Sequence, residues 1–300
     1  MIYEGGAVDV WCSPFTPPLM KRIFRDAPEL AEEIDRFNLQ ENVKGWSVEQ
    51  FVAIMDDANV LMAGIPAYQL WSFERREQLV DITAEEVADV VRQAPDRLFG
   101  YYGINPYKRM AGVRELERAV RELGFKGAHL LVYGFDMPIN HRDLYPYYAK
   151  CVELDVPVVI QVCHCAQTMP SAHARPILLD DIALYFPTLK IVGGHTGWPW
   201  TPELIAMAWK HKNVYLSASG FAPRMWGQEL DNFINFQGRG KCLWGADLPI
   251  LTYQASERQL SQKQLRDDAR RFLFRDTADA VFKLGLAEKA ANPLDDIAKS

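Results

Sequence analysis

The feature that most limits the possible folds is an alternation of short apolar runs with amphipathic helical stretches along most of the 300 residues. Apolar runs of strand length begin near residues 7, 59, 98, 126, 156, 189, 213 and 241. Such alternation implies parallel strands joined by right-handed crossovers. Eight strands in about 250 residues is the number found in a closed (β/α)8 barrel. The sequence therefore predicts an α/β protein with the TIM-barrel fold.

An open, doubly wound sheet is the alternative arrangement. No Gly-x-Gly-x-x-Gly or P-loop pattern follows the first apolar run, so the usual support for a nucleotide-binding sheet is missing. We predict a single domain over residues 1–300 with a barrel core at about 7–250. Two long connections, the insertion 13–45 after the first strand and the loop 66–82 after the second, are expected to lie over the barrel mouth. Helices are predicted at 21–37 in the insertion and at 258–274 and 277–286 in the C-terminal segment 254–300.

Charge and composition exclude several classes of partner. A net charge of -6 without a block of Lys and Arg argues against a nucleic-acid surface. The N-terminus carries Glu4 and Asp9, and no run of about 18 apolar residues is present, so neither export nor membrane attachment is predicted. The five cysteines are odd in number and lack Cys-x-x-Cys spacing, which favours reduced thiols and a cytoplasmic location.

Polar residues occur where several predicted strands end. His195 follows an apolar run and two glycines, and Asp247 follows the last run. Because the carboxyl ends of barrel strands face one site, these two are the candidate catalytic residues. The candidate substrate-binding residues are Trp11, Ser13, His129, Gln161, His164, Arg175 and Trp198. For Arg175, a bidentate contact to a substrate carboxylate competes with an ordinary solvated or structural charge.

Four segments match, in order, the motifs of a known family: residues 155–161, 185–197, 213–217 and 243–249. Over roughly residues 7–250 the chain resembles the amidohydrolase-related family. This is the branch of the amidohydrolase superfamily that contains aminocarboxymuconate-semialdehyde decarboxylase and the resorcylate and dihydroxybenzoate decarboxylases. The resemblance implies a TIM barrel, a small-molecule substrate from aromatic compound metabolism, a homodimer, and one zinc or manganese ion in the barrel mouth.

The resemblance also implies which positions should hold that ion. They are the first-strand pair, here Trp11 and Ser13, the end of the fifth strand, here Gln161, and the end of the eighth, here Asp247. His195 takes the place of the histidine that activates water beside the metal. Indole has no lone pair for a metal, and hydroxyl and amide oxygens are weak ligands for zinc. We therefore expect no metal, with one zinc or manganese ion as the alternative.

Cysteines near these positions leave a second possibility for a metal. Cys12, Cys163, His195 and Asp247 could form a thiolate-containing site, with Cys165 and His164 nearby. The simpler interpretation is that the cysteines are small buried apolar residues.

Three functions follow as hypotheses. The first is metal-independent hydrolysis of a small cyclic or aromatic-derived carbonyl compound, in which Asp247 takes a proton from water while His195 and His164 polarise the carbonyl. The second is a metal-dependent, non-oxidative decarboxylation of an aromatic or muconate-type carboxylate, which is a lyase reaction. The third is a non-catalytic barrel that binds a small molecule.

Overall fold

A computed structural model describes residues 1–286, and it contains eight parallel strands in sequential order around one sheet. The strands are Ala7–Asp9 (β1), Val60–Pro66 (β2), Leu98–Gly103 (β5), Gly127–Leu130 (β6), Val158–Gln161 (β7), Ile191–Gly194 (β8), Val214–Ser217 (β9) and Cys242–Leu243 (β10). Just beyond β1 and β10, the Val10 N–H donates to the Trp244 carbonyl at 3.1 Å and the Asp247 N–H to the Trp11 carbonyl at 3.0 Å. These bonds join the two ends of the sheet, and the predicted barrel is confirmed.

The helices lie between the strands as the alternation predicts. They are Pro17–Phe24 (α1), Pro28–Phe37 (α2), Val48–Ala58 (α3), Ala84–Val91 (α4), Arg109–Arg121 (α5), Tyr145–Glu153 (α6), Leu179–Tyr185 (α7), Thr201–Lys210 (α8), Gln228–Asn235 (α9), Tyr253–Leu260 (α10), Asp267–Arg271 (α11) and Thr277–Phe282 (α12). Capping boxes begin two of them, Ser47 with Gln50 on α3 and Thr83 with Glu86 on α4. These reciprocal bonds satisfy amide groups that the first turn leaves free. No helix within residues 1–286 is long and apolar enough to cross a membrane.

The barrel interior is filled by side chains from the inward faces of the strands. Trp11, Tyr101 and Val192 belong to this inner cluster, and Phe282 of α12 packs on Tyr101 and Phe99 with ring centroids 5.4 and 5.6 Å apart. Phe99 lies near the amino end of β5, so α12 covers the end of the barrel away from the strand C-termini. A second, larger apolar cluster lies between the strands and the surrounding helices. The open end is therefore the end formed by the strand C-termini.

The insertion 13–45 contains two helices, so the prediction of one helix over 21–37 is wrong. The chain is extended at Ala27, with φ -92° and ψ 106°, because the proline that follows disfavours helical geometry at the preceding residue. Pro28 then begins α2. The insertion reaches two other loops, since the Arg36 guanidinium donates to the Ala166 carbonyl and the Asn42 amide to the Pro249 carbonyl, both at 3.1 Å. It therefore lies across the barrel mouth.

Two further segments differ from the prediction, namely the loop 66–82 and the helix 258–274. The connection after β2 contains an antiparallel hairpin, Gln69–Trp71 (β3) with Gln78–Asp81 (β4). The helix predicted at 258–274 is interrupted after α10, because the Asn235 side chain holds the intervening backbone. Its amide donates to the Gln264 carbonyl at 2.9 Å, and its oxygen accepts from the Arg266 N–H at 2.8 Å. Residues 287–300 of the predicted C-terminal segment lie outside the described residues.

Candidate active site

A cavity of about 460 Å³ lies between the strand C-termini and the insertion. The barrel side contributes Trp11, Ser13, Gln161, Cys163, His164, His195 and Asp247. The insertion contributes Phe24, Leu30, Glu33, Phe37 and Leu39. This volume suits a small molecule, and the mixture of aromatic surface with a few polar groups is typical of ligand sites.

Asp247 follows β10 at the inner wall of the cavity. Its backbone has φ 60°, a left-handed conformation that is uncommon outside glycine and is often found at functional positions. Burial raises the pKa of its carboxyl from 3.8 to about 7, and a hydrogen bond from the Trp11 side chain opposes that rise. Near neutral pH Asp247 is therefore present in both protonation states and can accept or deliver a proton.

His195 follows β8 and faces Gln161. His195 has φ 60° and Thr196 φ 56°, so two successive residues carry left-handed backbone. The His195 Nε2 lies 2.5 Å from the Gln161 side-chain amide, and Nδ1 lies 3.2 Å from the Ser219 hydroxyl. Burial lowers the pKa of His195 to about 4, so the imidazole is neutral at pH 7. It can therefore orient Gln161 and exchange hydrogen bonds without introducing a charge.

Gly220 allows the chain to pass directly over the His195 ring. A Cβ atom at this position would lie 2.3 Å from His195 Nδ1, and the residue has φ +73°. Both the close approach and the backbone conformation require glycine.

Trp11 forms the base of the site between two histidines. Its ring centroid lies 4.4 Å from that of His129 and 5.3 Å from that of His195, both in edge-on geometry. A buried carboxylate holds the surrounding backbone, because Asp9 Oδ1 accepts from the Trp11 N–H at 3.0 Å and the Ala246 N–H at 3.1 Å. Asp9 Oδ2 accepts from the Tyr253 hydroxyl at 3.0 Å. Asp9 thereby fixes Trp11 next to the chain that carries Asp247.

The structure brings together most of the predicted site residues. Trp11, Ser13, Gln161, His164, His195 and Asp247 all line the cavity. His129 does not reach it, because its ring is buried behind Trp11, where burial lowers its pKa to about 3. His129 therefore supports Trp11, and the predicted substrate contact by His129 is corrected.

The predicted substrate contacts of Arg175 and Trp198 are also corrected. The Arg175 guanidinium pairs with the Glu203 carboxylate, with Nη2 at 2.5 Å and Nε at 2.9 Å from Oε1. Glu203 lies in the first turn of α8, which brings a strong bidentate partner to Arg175 on the protein surface. Trp198 is 39% exposed and packs edge-on against the His164 ring at 4.7 Å. It supports His164 from outside the cavity.

Among the cavity residues that sequence reasoning missed, four are titratable: Glu33, Tyr68, Tyr133 and Arg224. Glu33 could have been suspected, since Leu30, Glu33 and Phe37 have the i, i+3, i+7 spacing of one helix face. No comparable signal marks the other three.

The residues at the expected ligand positions do not fit a zinc or manganese ion. Trp11 places an indole where a ligand is required, and Ser13 and Gln161 offer weak neutral oxygens. Within residues 1–286 no group of three or more His, Cys, Asp and Glu side chains is arranged to hold a metal.

The cysteines do not replace the missing ligands. Cys12 belongs to the outer apolar cluster and donates to the Ser13 carbonyl at 3.3 Å. Cys163 lines the cavity, but its sulfur lies 3.2 Å from the Tyr133 hydroxyl, and burial raises its pKa to about 12. Both thiols thus have partners within the protein and are described as packed side chains.

The family follows from comparison with known sequences, since a family model described as Amidohydrolase matches residues 43–284. The chain belongs to this amidohydrolase family. Its resemblance to the amidohydrolase-related decarboxylases is confirmed.

Similar proteins carry out different reactions. Over 103 residues the chain is 36% identical to 2-keto-4-carboxy-3-hexenedioate hydratase from Sphingobium sp. strain NBRC 103272 / SYK-6, with 29% of this chain and 30% of that protein covered. Over 203 residues it is 27% identical to gamma-resorcylate decarboxylase from Rhodococcus jostii strain RHA1, with 54% and 59% covered. The matches thus span less than two thirds of these curated relatives. Their names include a hydratase and a decarboxylase, and hydrolysis stays a prediction.

A solved structure shows the same fold with a metal. Dihydroxybenzoic acid decarboxylase from Polaromonas sp. JS666, with bound manganese and the inhibitor 2-nitroresorcinol, superposes with a TM-score of 0.68 at 18% identity. The superposition covers 96% of this chain and 99% of that chain. Manganese is therefore found in a protein of this fold, and the expectation that this amidohydrolase works without a metal stays a prediction.

Proposed function

We propose that this amidohydrolase-family enzyme hydrolyses a small cyclic or aromatic-derived ester without a metal ion. One observation carries the proposal. The cavity is lined by Asp247, whose pKa burial raises to about 7, and by the hydrogen-bonded neutral pair His195 and Gln161, which supports a proton acceptor and a hydrogen-bond donor acting in one site. The first two ligand positions expected from the family hold Trp11 and Ser13.

The chemistry begins with Asp247 in its ionised form. The carboxylate takes a proton from a water molecule while the water oxygen forms a bond to the ester carbonyl carbon, and the carbonyl electron pair moves onto oxygen. One N–H of the Gln161 amide faces His195, and its second N–H can donate to that oxygen. The C–O bond to the leaving group then breaks and the leaving oxygen takes up one proton, while Asp247 releases the proton it took, which yields an acid and an alcohol and restores the carboxylate.

The cavity walls favour a flat and largely apolar substrate. Trp11, Tyr68, Tyr133 and Phe24 supply aromatic surface around the polar groups. Aromatic walls bind planar rings through apolar contact and edge or face stacking. A lactone fused to an aromatic ring has the size and shape that this site suits.

Decarboxylation is the second candidate, and the similarity to gamma-resorcylate decarboxylase favours it. In that reaction the protonated form of Asp247 would deliver its proton to the ring carbon as the bond to the carboxylate breaks and carbon dioxide leaves. The raised pKa of Asp247 provides this form near neutral pH.

Assays with two substrate classes test the proposal. Purified enzyme, dialysed against a chelator and checked for metal content, is offered aromatic lactones and 2,6-dihydroxybenzoate. We expect lactone hydrolysis that chelation leaves unchanged and that Asp247→Asn lowers by about a thousandfold, because the proton acceptor is lost while the shape is kept. The matched control, Asp57→Asn at an exposed position of α3, should retain full activity.

Other outcomes would reject hydrolysis in distinct ways. Loss of carbon dioxide from 2,6-dihydroxybenzoate, with inert lactones, would support the decarboxylase. Activity abolished by chelation and restored by zinc or manganese would show that a metal is used. No turnover of either class, with saturable binding of the probes, would support the non-catalytic barrel. The homodimer and the cytoplasmic location stay predictions.

A further inference from the structure

We infer that Glu33, which the insertion carries into the cavity, is a second proton-transfer residue that protonates the leaving oxygen of the substrate. This inference rests on the proposed hydrolysis and extends it from one carboxyl to two. It makes α2 part of the active site as well as its cover.

The position of Glu33 on α2 is the first argument. Leu30, Glu33 and Phe37 all line the cavity, and their spacing places them on one face of the helix. The neighbouring Glu32 is exposed. One glutamate of this helix therefore faces the substrate space, and the adjacent glutamate faces solvent.

The contacts of Glu33 are the second argument. The Gln167 amide, in the loop after β7, donates to Glu33 Oε2. Arg36, one turn further along α2, directs its guanidinium to the Ala166 carbonyl at 3.1 Å. Among the ion pairs within residues 1–286, none involves Glu33, so its carboxyl is hydrogen-bonded but not neutralised by a salt bridge.

The surroundings of Glu33 favour its protonated form. Burial raises its pKa from 4.5 to about 7, the charge of Asp247 adds to the rise, and the bonds to Gln167 and the charge of Arg36 oppose it. The charges of Arg36 and Asp247 act on Glu33, and the charge of Glu33 acts on Tyr68, Cys163 and Cys165. Arg224, His164 and His195 also line the cavity. The two cysteines and Tyr68 have raised pKa values and stay neutral near pH 7. Two carboxyls thus line one cavity, and the charge of ionised Asp247 favours the protonated form of Glu33.

Two carboxyls on different walls suit the two proton transfers of ester cleavage. Asp247 takes a proton from the attacking water, as proposed above. Glu33, in its acid form, gives its proton to the leaving oxygen as the C–O bond breaks, so that the alcohol departs neutral. Afterwards Asp247 carries one proton and Glu33 is ionised, and exchange with solvent restores the starting state. Atoms and charges balance without a further reactant.

Two isomeric lactones distinguish proton donation by Glu33 from a purely structural role of this residue. Dihydrocoumarin releases a phenol, which leaves readily as an anion, whereas isochroman-3-one releases a benzylic alcohol that requires a proton. We expect Glu33→Gln to lower turnover of isochroman-3-one by about a hundredfold and turnover of dihydrocoumarin by less than about tenfold. With isochroman-3-one, the wild-type rate should fall above about pH 7 as Glu33 ionises, and this fall should disappear in the variant.

The matched control is Glu32→Gln on the same helix, which should behave as wild type with both lactones. Asp247→Asn should impair both lactones equally, because water activation precedes either departure. If Glu33→Gln impairs both lactones equally and leaves the pH profile unchanged, Glu33 has only a structural role and the inference is overturned.

A titration without substrate keeps the inference testable if neither lactone reacts. Carbon-13 resonances of the side-chain carboxyls, with Glu33 assigned by its loss in Glu33→Gln, report its protonation directly. A Glu33 midpoint near pH 7 that moves down in Asp247→Asn supports the inference. An ordinary glutamate midpoint would overturn it, while a failure of lactone turnover alone would reject only the proposed hydrolysis.

Discussion

Trp11 decides more about this site than any other single side chain. It stands where the related family supplies a metal ligand, and it is 2% exposed between the rings of His129 and His195. Its side chain also lowers the pKa of Asp247, which burial alone would raise further. An indole cannot coordinate a metal at this position, and it gives the cavity an aromatic base.

Restoring the family's ligand types should restore metal binding. The triple variant Trp11→His, Ser13→His and Gln161→His would surround Asp247 with three imidazoles. The four side chains together exceed by one the three protein ligands that a catalytic zinc site requires. We expect it to keep about one zinc ion per chain after dialysis, measured by atomic emission spectroscopy. Ser13→His alone is the control and should keep none. If the wild type and the triple variant retained the same amount of zinc per chain, the proposal that Trp11 prevents metal binding would be refuted.

At the scale of elements, the β3–β4 hairpin is fixed against the segment after β6 by a close backbone contact. Gly134 lies so near Trp71 that an added Cβ would be 1.5 Å from the Trp71 carbonyl oxygen. Because the obstacle is backbone, no side-chain rotation can relieve it. The hairpin side chain Trp71 also packs edge-on against Tyr107, with ring centroids 4.8 Å apart.

Gly134→Ala should therefore displace the hairpin. We expect the free energy of unfolding to fall by about 3 kcal/mol, as measured by urea denaturation, because the overlap forces a backbone shift. Gly124→Ala is the control. Nothing lies within 4 Å of its added Cβ, and only the cost of φ +73° remains, about 1 kcal/mol. If Gly134→Ala and Gly124→Ala lowered the free energy of unfolding equally, the backbone contact between Gly134 and Trp71 would not be rigid.

At the scale of the whole molecule, buried carboxyls make stability depend on pH. Burial raises the pKa of Asp9, Glu33 and Asp247 to about 7 in each case. At these three carboxyls the folded chain therefore binds more protons than the unfolded chain between their ordinary pKa values and pH 7, so by linkage their contribution to the free energy of unfolding falls as pH rises through this window and is lost above about pH 7. His129 and His195, whose pKa values burial lowers to about 3 and about 4, contribute the opposite slope below about pH 6.5, but two histidines offset only part of the effect of three carboxyls.

Urea denaturation at pH 5 and pH 8 checks this dependence. The wild-type protein should have a lower free energy of unfolding at pH 8 than at pH 5. Because Asn cannot ionise, this decrease should be smaller in Asp247→Asn than in the wild type by about 2 to 4 kcal/mol. Asp57→Asn, on the exposed side of α3, should follow the wild type. If Asp247→Asn and the wild type lost equal stability between the two pH values, Asp247 would not carry the raised pKa.

The sequence by itself determined the barrel and the two strand-end residues at its centre. The alternation of apolar runs and helices is a local property, and parallel strands that follow one another must deliver their C-terminal residues to the same end. Asp247 and His195 could therefore be placed together without knowing any loop. The break before Pro28 had a local cause as well and could have been predicted from the proline alone.

Only the tertiary structure decided which loop residues reach the cavity. Gln167 meets Glu33 across 134 residues of sequence, and Arg36 meets Ala166 across 130, so no local pattern brings α2 over the mouth. The same holds for Arg175, whose partner Glu203 removes it from the site, and for Trp198, which faces outward beside His164. Strand ends converge by topology, whereas loops are placed by contacts between distant residues, and those contacts depend on the packed shape of the whole chain.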